Sequence, residues 1–248
     1  MPELRGKAAV VTGGTKGIGR AIVEALLSRG LDVVLGARTP ADVERVTAEL
    51  EAGRFTTGVS PDAAGRVRGV VCDVRDAAAC RHLIDAAVSA FGRLDVLVNN
   101  AGIGRFGPVE DFAVDDWQAV LETNLSGVFY CSHAAIPHLK RAGGGWIINI
   151  GSLAGKYAAA GSAAYNASKF GLVGFSEALM QEVRHDGIRV SLLMPGSVAT
   201  EFGHPHSAAG DDWRIQPGDI AQMVLDLLDT PARTLPSRIE VRPAMPRR

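Results

Sequence analysis

The chain lacks most of what a nucleic-acid, membrane or metal protein needs. Its 26 basic and 27 acidic residues leave a net charge of −1, so no basic surface is expected for a polyanionic partner such as DNA or RNA. Only three cysteines occur in 248 residues. Cys72, Cys80 and Cys131 form no CxxC pair, and a sparse, odd set predicts reduced thiols and a cytoplasmic home. No apolar run nears the ~20 residues of a membrane span. The opening "MPELRGKAAVV" runs straight into an apolar strand, which reads as no signal peptide. His204 and His206 form an HxH with no other ligand candidates beside them, and read as loop rather than metal site.

Apolar residues, at 47% of the chain, suffice for one full core, and no composition break or internal repeat marks a second domain. Residues 1–248 read as a single domain. Strand and helix patterns alternate. "AAVVTGG" is a buried strand ending in glycines, and "GIGRAIVEALLSRG" is a helix with Ile18, Ile22, Leu26 and Leu27 on one face. "LDVVLGAR", "VRGVVCDV", "LDVLVNNAG", "GWIINIGS", "IRVSLLMPG" and "SRIEVRP" are further strands. Residues 114–143 read as one long helix, bent at Pro137 where a donor is missing. "GRFTTGVSPDAAGR", 53–66, is polar and glycine-rich and reads as loop. The strands are continuous apolar runs, as expected when helices cover both sheet faces. The prediction is an α/β fold: a doubly wound, Rossmann-type, mostly parallel sheet of about seven strands. Ligands then bind beyond the carboxyl ends of the strands.

Strand one ends in "TGGTKGIG", with Gly13, Gly17 and Gly19 in a GxxxGxG pattern. This is neither GxGxxG nor a P-loop. Its physics is still that of a phosphate cradle, since glycines permit close backbone approach and a helix N-terminus offers free N–H groups. Strand two ends in "VVLGARTP", where NAD-preferring folds place an acid. Arg38 follows instead, and Lys16 lies near the same corner. A guanidinium grips a 2′-phosphate that a carboxylate would repel, so the pair predicts NADP(H).

These residues resemble the short-chain dehydrogenase/reductases, in their single-domain branch, over nearly the entire chain. The motifs occur in order: "TGGTKGIG" at 12–19, "CDV" at 72–74, "NNAG" at 99–102, Asn124, Ser152, "YNASK" at 165–169 and "PGSVAT" at 195–200. The resemblance implies that Gly13, Thr15, Lys16, Gly17, Ile18 and Gly19 cradle the cofactor. It places Asp73 and Val74 at the adenine and Asn100, Ala101 and Gly102 along a ribose. Pro195, Gly196, Val198 and Thr200 would hold the nicotinamide carboxamide and pyrophosphate region. Asn124, Ser152, Tyr165 and Lys169 match the family's catalytic tetrad, Asn124 holding a water that links Lys169 to solvent.

Tyr165 and Lys169 sit four residues apart on one helix face, about one turn or ~6 Å along the axis. An ammonium beside a phenol and the positive ring of an oxidised nicotinamide both favour the phenolate. Lys169 is therefore expected to lower the pKa of Tyr165 from near ~10 towards neutrality, making it a workable acid and base, and the resemblance implies that Tyr165 and Lys169 also bind the cofactor, Lys169 gripping the nicotinamide ribose. Tyr130 and Tyr157 have no lysine four residues on. The expected reaction is reversible reduction of a ketone or aldehyde.

A substrate loop is expected at about 200–219, with Phe202 and Trp213 as apolar contacts and Ala154, Tyr157 and Ala158 as the opposite wall. The small residues 158–161 suggest an open site. The runner-up is a β-ketoacyl-carrier-protein reductase, whose acidic partner needs basic docking residues near the site. Gly143 and Asp186 occupy two positions commonly basic in that subfamily, with Lys140, Arg141 and Arg184 close by. A non-catalytic NADP-binding regulator is a third reading, disfavoured by the complete tetrad. The family commonly assembles as tetramers, and a homotetramer or dimer is expected here. Val120, Leu121, Val128, Leu172, Phe175 and Leu179 would serve either core or interface.

Overall fold

A strand apolar at every position can be buried only if both faces of its sheet are covered. The computed structural model of the chain, which describes residues 4–55, 65–202 and 212–246, shows how this is done. Seven strands form one sheet in the order β3-β2-β1-β4-β5-β6-β7, every neighbouring pair parallel. They are β1 (Ala8–Thr12), β2 (Asp32–Ala37), β3 (Val67–Val71), β4 (Val96–Asn99), β5 (Gly145–Ile150), β6 (Ile188–Pro195) and β7 (Arg238–Val241). The helices are α1 (Gly17–Ser28), α2 (Pro40–Glu51), α3 (Ala77–Phe91), α4 (Val114–Leu121), α5 (Gly127–Arg141), α6 (Ala163–Val183) and α7 (Pro217–Asp229).

The pleat assigns alternate side chains to the two helical layers. Ala9 and Val11 of β1 face one core with Ile22, Leu26, Ile220 and Val224 of α1 and α7. Val10, between them, faces the other core with Leu83 and Ile84 of α3 and Cys131 and Leu139 of α5. On β5, Trp146, Ile148 and Ile150 join the first core and Ile147 the second. Burying one such side chain contributes roughly 1.5–3 kcal/mol. The doubly wound sheet therefore follows from the apolar runs. Of the positions left open between core and interface, Val120, Val128, Leu172 and Leu179 are buried within this one chain, while Leu121 and Phe175 are partly covered.

The strand order reverses direction between β1 and β4, which opens a crevice at the carboxyl ends of these two strands. The ends of β5 and β6 continue it.

One expectation fails. Residues 114–143 are not a single helix bent at Pro137. The break comes earlier, in a π turn at Glu122–Ser126, and α5 runs through Pro137 to Arg141. The extra residue of a π turn swings one side chain out of helical register. Here it carries Asn124, whose amide bonds to the segment after β4 and to α6. Residues 56–64, 203–211 and 247–248 lie outside the described part of the chain, as do His204 and His206.

Candidate active site

The crevice is a cavity of about 800 Å³. At its centre, two of the sequence motifs are stitched together. The Thr12 hydroxyl at the end of β1 accepts the backbone N–H groups of Asn100 and Ala101, both at 3.0 Å. The Asn100 amide returns two bonds, to the carbonyls of Thr12 (3.0 Å) and Gly13 (3.2 Å). Gly13 and Gly17 have φ of 66° and 55°, which residues with a Cβ rarely adopt. A Cβ on Gly19 would collide with the Gly13 carbonyl oxygen and the Asn100 amide. The glycines thus serve close packing of the turn as well as approach by a ligand. Gly13, Thr15, Lys16, Gly17, Ile18 and Gly19 all line the cavity.

At one end of the cavity stand Lys16, Ala37, Arg38, Thr39 and Asp42. Lys16 and Arg38 are exposed, and among the described residues neither has a salt-bridge partner. Asp42 is held by Arg45 at 3.0 Å. Two cations therefore face this end without an ion pair among the described residues, with Asp73 near enough to Arg38 to feel its charge. Cys72 and Val74 also line the wall, but the expected contact residue between them, Asp73, does not. Its carboxylate is gripped by Arg75, at 2.6 Å to Nη2, which holds it below the usual carboxylate range.

The other end is built on β5, α6 and the segment after β6. Ser152 follows β5, and Tyr165 and Lys169 lie on α6. Four of the five residues of "YNASK" have a definite role. The Tyr165 hydroxyl hydrogen-bonds Ser152. Asn166 donates to the carbonyls of Ala154 (2.7 Å) and Tyr157 (3.1 Å) and accepts from the Ala159 N–H (3.2 Å), fixing the turn that carries Ser152. Ser168 donates to the Tyr165 carbonyl at 2.7 Å and accepts from Asn124 at 3.1 Å. Lys169 is 6% exposed, and its Nζ donates to the Ile150 carbonyl at 3.1 Å. Asn166 and Ser168 escaped the sequence argument, because they act on neighbouring backbone and not on the cavity.

Two expectations are corrected here. Lys169 by itself does not draw the phenol down. Burial pushes Tyr165 up, opposed only by its bond to Ser152. Burial also pushes Lys169 down, to about 8. Both shifts disfavour the charged form in a dry site. Asn124 does not present its side chain to the cavity. Its amide accepts from the Ile103 N–H at 2.8 Å, donates to the Ile103 carbonyl at 2.9 Å, and donates to Ser168. Thr123 takes the place in the wall.

Ala101, Gly102, Pro195, Gly196, Val198 and Thr200 line the cavity as expected, with Asn100. The sequence argument missed Ile103, Thr123, Ser197, Ala199, Glu201 and Arg214. Phe202 lines it too. Trp213 does not, and it lies close to the Arg214 guanidinium, 5.4 Å away. Ala154, Tyr157 and Ala158 form no part of the wall. Tyr157 is exposed, and its hydroxyl accepts from Arg242 at 3.1 Å, tying it to the end of β7.

A sequence profile of the family described as short chain dehydrogenase matches residues 7–210. The chain belongs to the short-chain dehydrogenase family. It is 40% identical to a D-threitol dehydrogenase of Mycolicibacterium smegmatis, over 82% of this chain and 74% of that one. It is 37% identical to a 3-oxoacyl-acyl-carrier-protein reductase of Salmonella typhimurium, over 89% and 83%. A solved metagenomic short-chain oxidoreductase in complex with NADP is similar across 98% of this chain and 100% of its own, with 37% identity and a TM-score of 0.81. A short-chain dehydrogenase acts on CH–OH groups, and this chain is an oxidoreductase of that kind.

Among the described residues no helix is long and apolar enough to cross a membrane, and no group of side chains is arranged to hold a metal ion.

Proposed function

We propose that this short-chain dehydrogenase is a single-domain, NADP(H)-dependent enzyme that interconverts a ketone or aldehyde and its alcohol. The observation that carries the reading is one cavity with two ends. One end holds hydrogen-bonded Ser152 and Tyr165 above buried Lys169. The other holds two cations, Lys16 and Arg38, with no salt-bridge partner among the described residues, at the mouth of a glycine cradle.

NADPH, when bound, supplies the hydride. Lys16 and Arg38 would hold its 2′-phosphate through charge-assisted bonds. Gly13, Thr15, Gly17, Ile18 and Gly19 would take the diphosphate at the start of α1. Asn100, Ala101, Gly102 and Val74 would line the adenosine side. Pro195, Gly196, Val198 and Thr200 would fix the nicotinamide side. Asp73 reaches the adenine only by releasing Arg75.

At the reacting carbonyl, Ser152 donates a hydrogen bond to the oxygen and orients it. Tyr165 transfers its proton to that oxygen as charge develops there. Its raised pKa keeps the proton on the phenol until then. Lys169 relays the replacement proton. Asn124 is a positioning residue, locking the 101–103 segment to α6.

The carrier-protein alternative finds less support. Lys140 is ion-paired with Asp186 at 2.7 Å. Gly143 and Asp186 sit at the starts of β5 and β6, the sheet edge away from the cavity. A homotetramer or dimer is supported by exposed Trp117, Phe129 and Phe170 on α4, α5 and α6. Reduced thiols, all three buried, accord with a cytoplasmic setting.

The test follows absorbance at 340 nm with NADPH and NADH in parallel, against ketones, aldehydes and a 3-oxoacyl thioester. NADPH-dependent turnover of simple ketones is the expected result. Turnover of the thioester alone replaces this reading with the carrier-protein one.

A further inference from the structure

Tyr165 is flanked by two further rings that no motif announces. Phe106, from the segment after β4, stands edge-on to it, with centroids 5.6 Å apart and planes at 63°. Phe202, from the segment after β6, is tilted against it at 5.8 Å and 52°. Three separate stretches of chain thus deliver one ring each to the same spot.

Gly104 is what lets the two phenylalanines meet there. A Cβ at that position would lie 2.8 Å from Phe106 Cε2 and 2.9 Å from Phe202 Cε1. Any larger residue would have to push the rings apart. Both rings pack against the Tyr165 ring and leave it partly buried. Shielding alone does not account for the faces they leave outward. Each phenylalanine is still 44% exposed, and large apolar surface left in water beside a functional group marks a binding site. Among the described residues, Glu201 and Arg214 bring one charge of each sign to the cavity wall.

We propose that Phe106 and Phe202 form an aromatic clamp that selects carbonyl substrates with a planar aryl group next to the reacting carbon. The proposal rests on Tyr165 as the proton donor. An aryl ring offers the offset-stacked and edge-on contacts that phenylalanine rings prefer. A saturated ring of equal size fills the volume but not this geometry, and a polyol or a thioester arm gains little from either.

The experiment compares acetophenone with cyclohexyl methyl ketone, using NADPH, in the wild type and in Phe106→Leu, Phe202→Leu and Gly104→Val. The two ketones share a methyl carbonyl and differ in planarity. The wild type is expected to favour acetophenone by about 10-fold or more in kcat/KM, the scale of two good ring contacts. Each leucine variant is expected to lower that ratio to about threefold, and Gly104→Val, which parts both rings, to within about twofold of unity. Thermal unfolding confirms that each variant is folded. A second measurement separates the clamp from the chemistry: calorimetric binding of 1-phenylethanol and 1-cyclohexylethanol in the presence of NADP⁺. An enzyme that turns over both ketones equally overturns the clamp and leaves Tyr165 standing. So does an unchanged ratio in the leucine variants. A protein that turns over neither ketone, yet binds 1-phenylethanol preferentially and loses that preference in the variants, keeps the clamp and overturns the activity. Equal binding of the two alcohols by an inactive protein overturns both.

Discussion

The Nζ of Lys169 lies 5.7 Å from the centre of the Tyr165 ring and donates its hydrogen bond to the Ile150 carbonyl, at 3.1 Å. The ammonium is thus anchored to the end of β5, against the ring of the phenol. This geometry lets both groups shift by desolvation, the phenol upward and the ammonium downward.

A pH dependence follows. The Lys169 side chain loses its proton as pH rises through about 8, whereas Tyr165 retains its own. The kcat/KM for reduction reports free-enzyme ionisations, so it should be level near neutrality and fall above about pH 8. Stability moves in the opposite sense. Between about 8 and the ordinary lysine value of 10.5, the unfolded chain binds more protons at this site than the folded one, so the contribution of this group to stability rises with pH. Chemical denaturation across that range should show the slope in the wild type and lose it in Lys169→Met.

Tyr165→Phe keeps the ring, its contacts with Phe106 and Phe202, and the cavity shape. It removes only the hydroxyl, with its proton and its bond to Ser152. Turnover should fall by about 10²–10⁴-fold, with NADPH affinity within a few-fold of wild type by fluorescence titration. Near-normal turnover would remove Tyr165 from the mechanism.

Arg38→Ala should alter the choice of cofactor. Losing charge-assisted bonds to a 2′-phosphate costs about 1.5–3 kcal/mol, or roughly 10- to 100-fold in NADPH affinity. NADH affinity should not change. Parallel KM measurements check this, and an equal loss for both cofactors would place Arg38 elsewhere.

Asn124→Ala strips three hydrogen bonds from the π turn and leaves the Ile103 N–H and carbonyl without their partner. Stranding buried polar groups costs about 1–3 kcal/mol, a drop of roughly 2–12 °C in Tm for a chain of this size. Activity should fall with it, because the cavity wall at 101–103 loses its anchor. Differential scanning calorimetry and the 340 nm assay together test the positioning role.

Gly19→Ala should close the cradle. The added methyl meets the Gly13 carbonyl oxygen and Asn100 amide, which also join β1 to the segment after β4. Both NADPH affinity and Tm should fall. Lost affinity without lost stability would show that the glycine serves the ligand alone.

The apolar runs of β1, β4, β5 and β6 were readable because hydrophobicity at consecutive strand positions has one economical solution, a sheet covered on both faces. Short-range chemistry was equally legible. Gly13, Gly17 and Gly19 in one turn, and Tyr165 four residues before Lys169, carry their meaning in local spacing, since backbone freedom and helical pitch are local properties. The rest depended on residues distant in sequence. The break in the 114–143 helix appears at Asn124 and not Pro137, because a side chain bonded to Ile103 and Ser168 outweighs a missing donor. Asp73 turns to Arg75, Tyr157 to Arg242, and neither pairing has a pattern in the chain. The direction of the Tyr165 shift could not be read from a nearby lysine, because desolvation is set by everything packed around the group. Phe106, Phe202 and Tyr165 lie far apart in sequence, and only the convergence of the β4, β5 and β6 ends on one crevice brings their rings together.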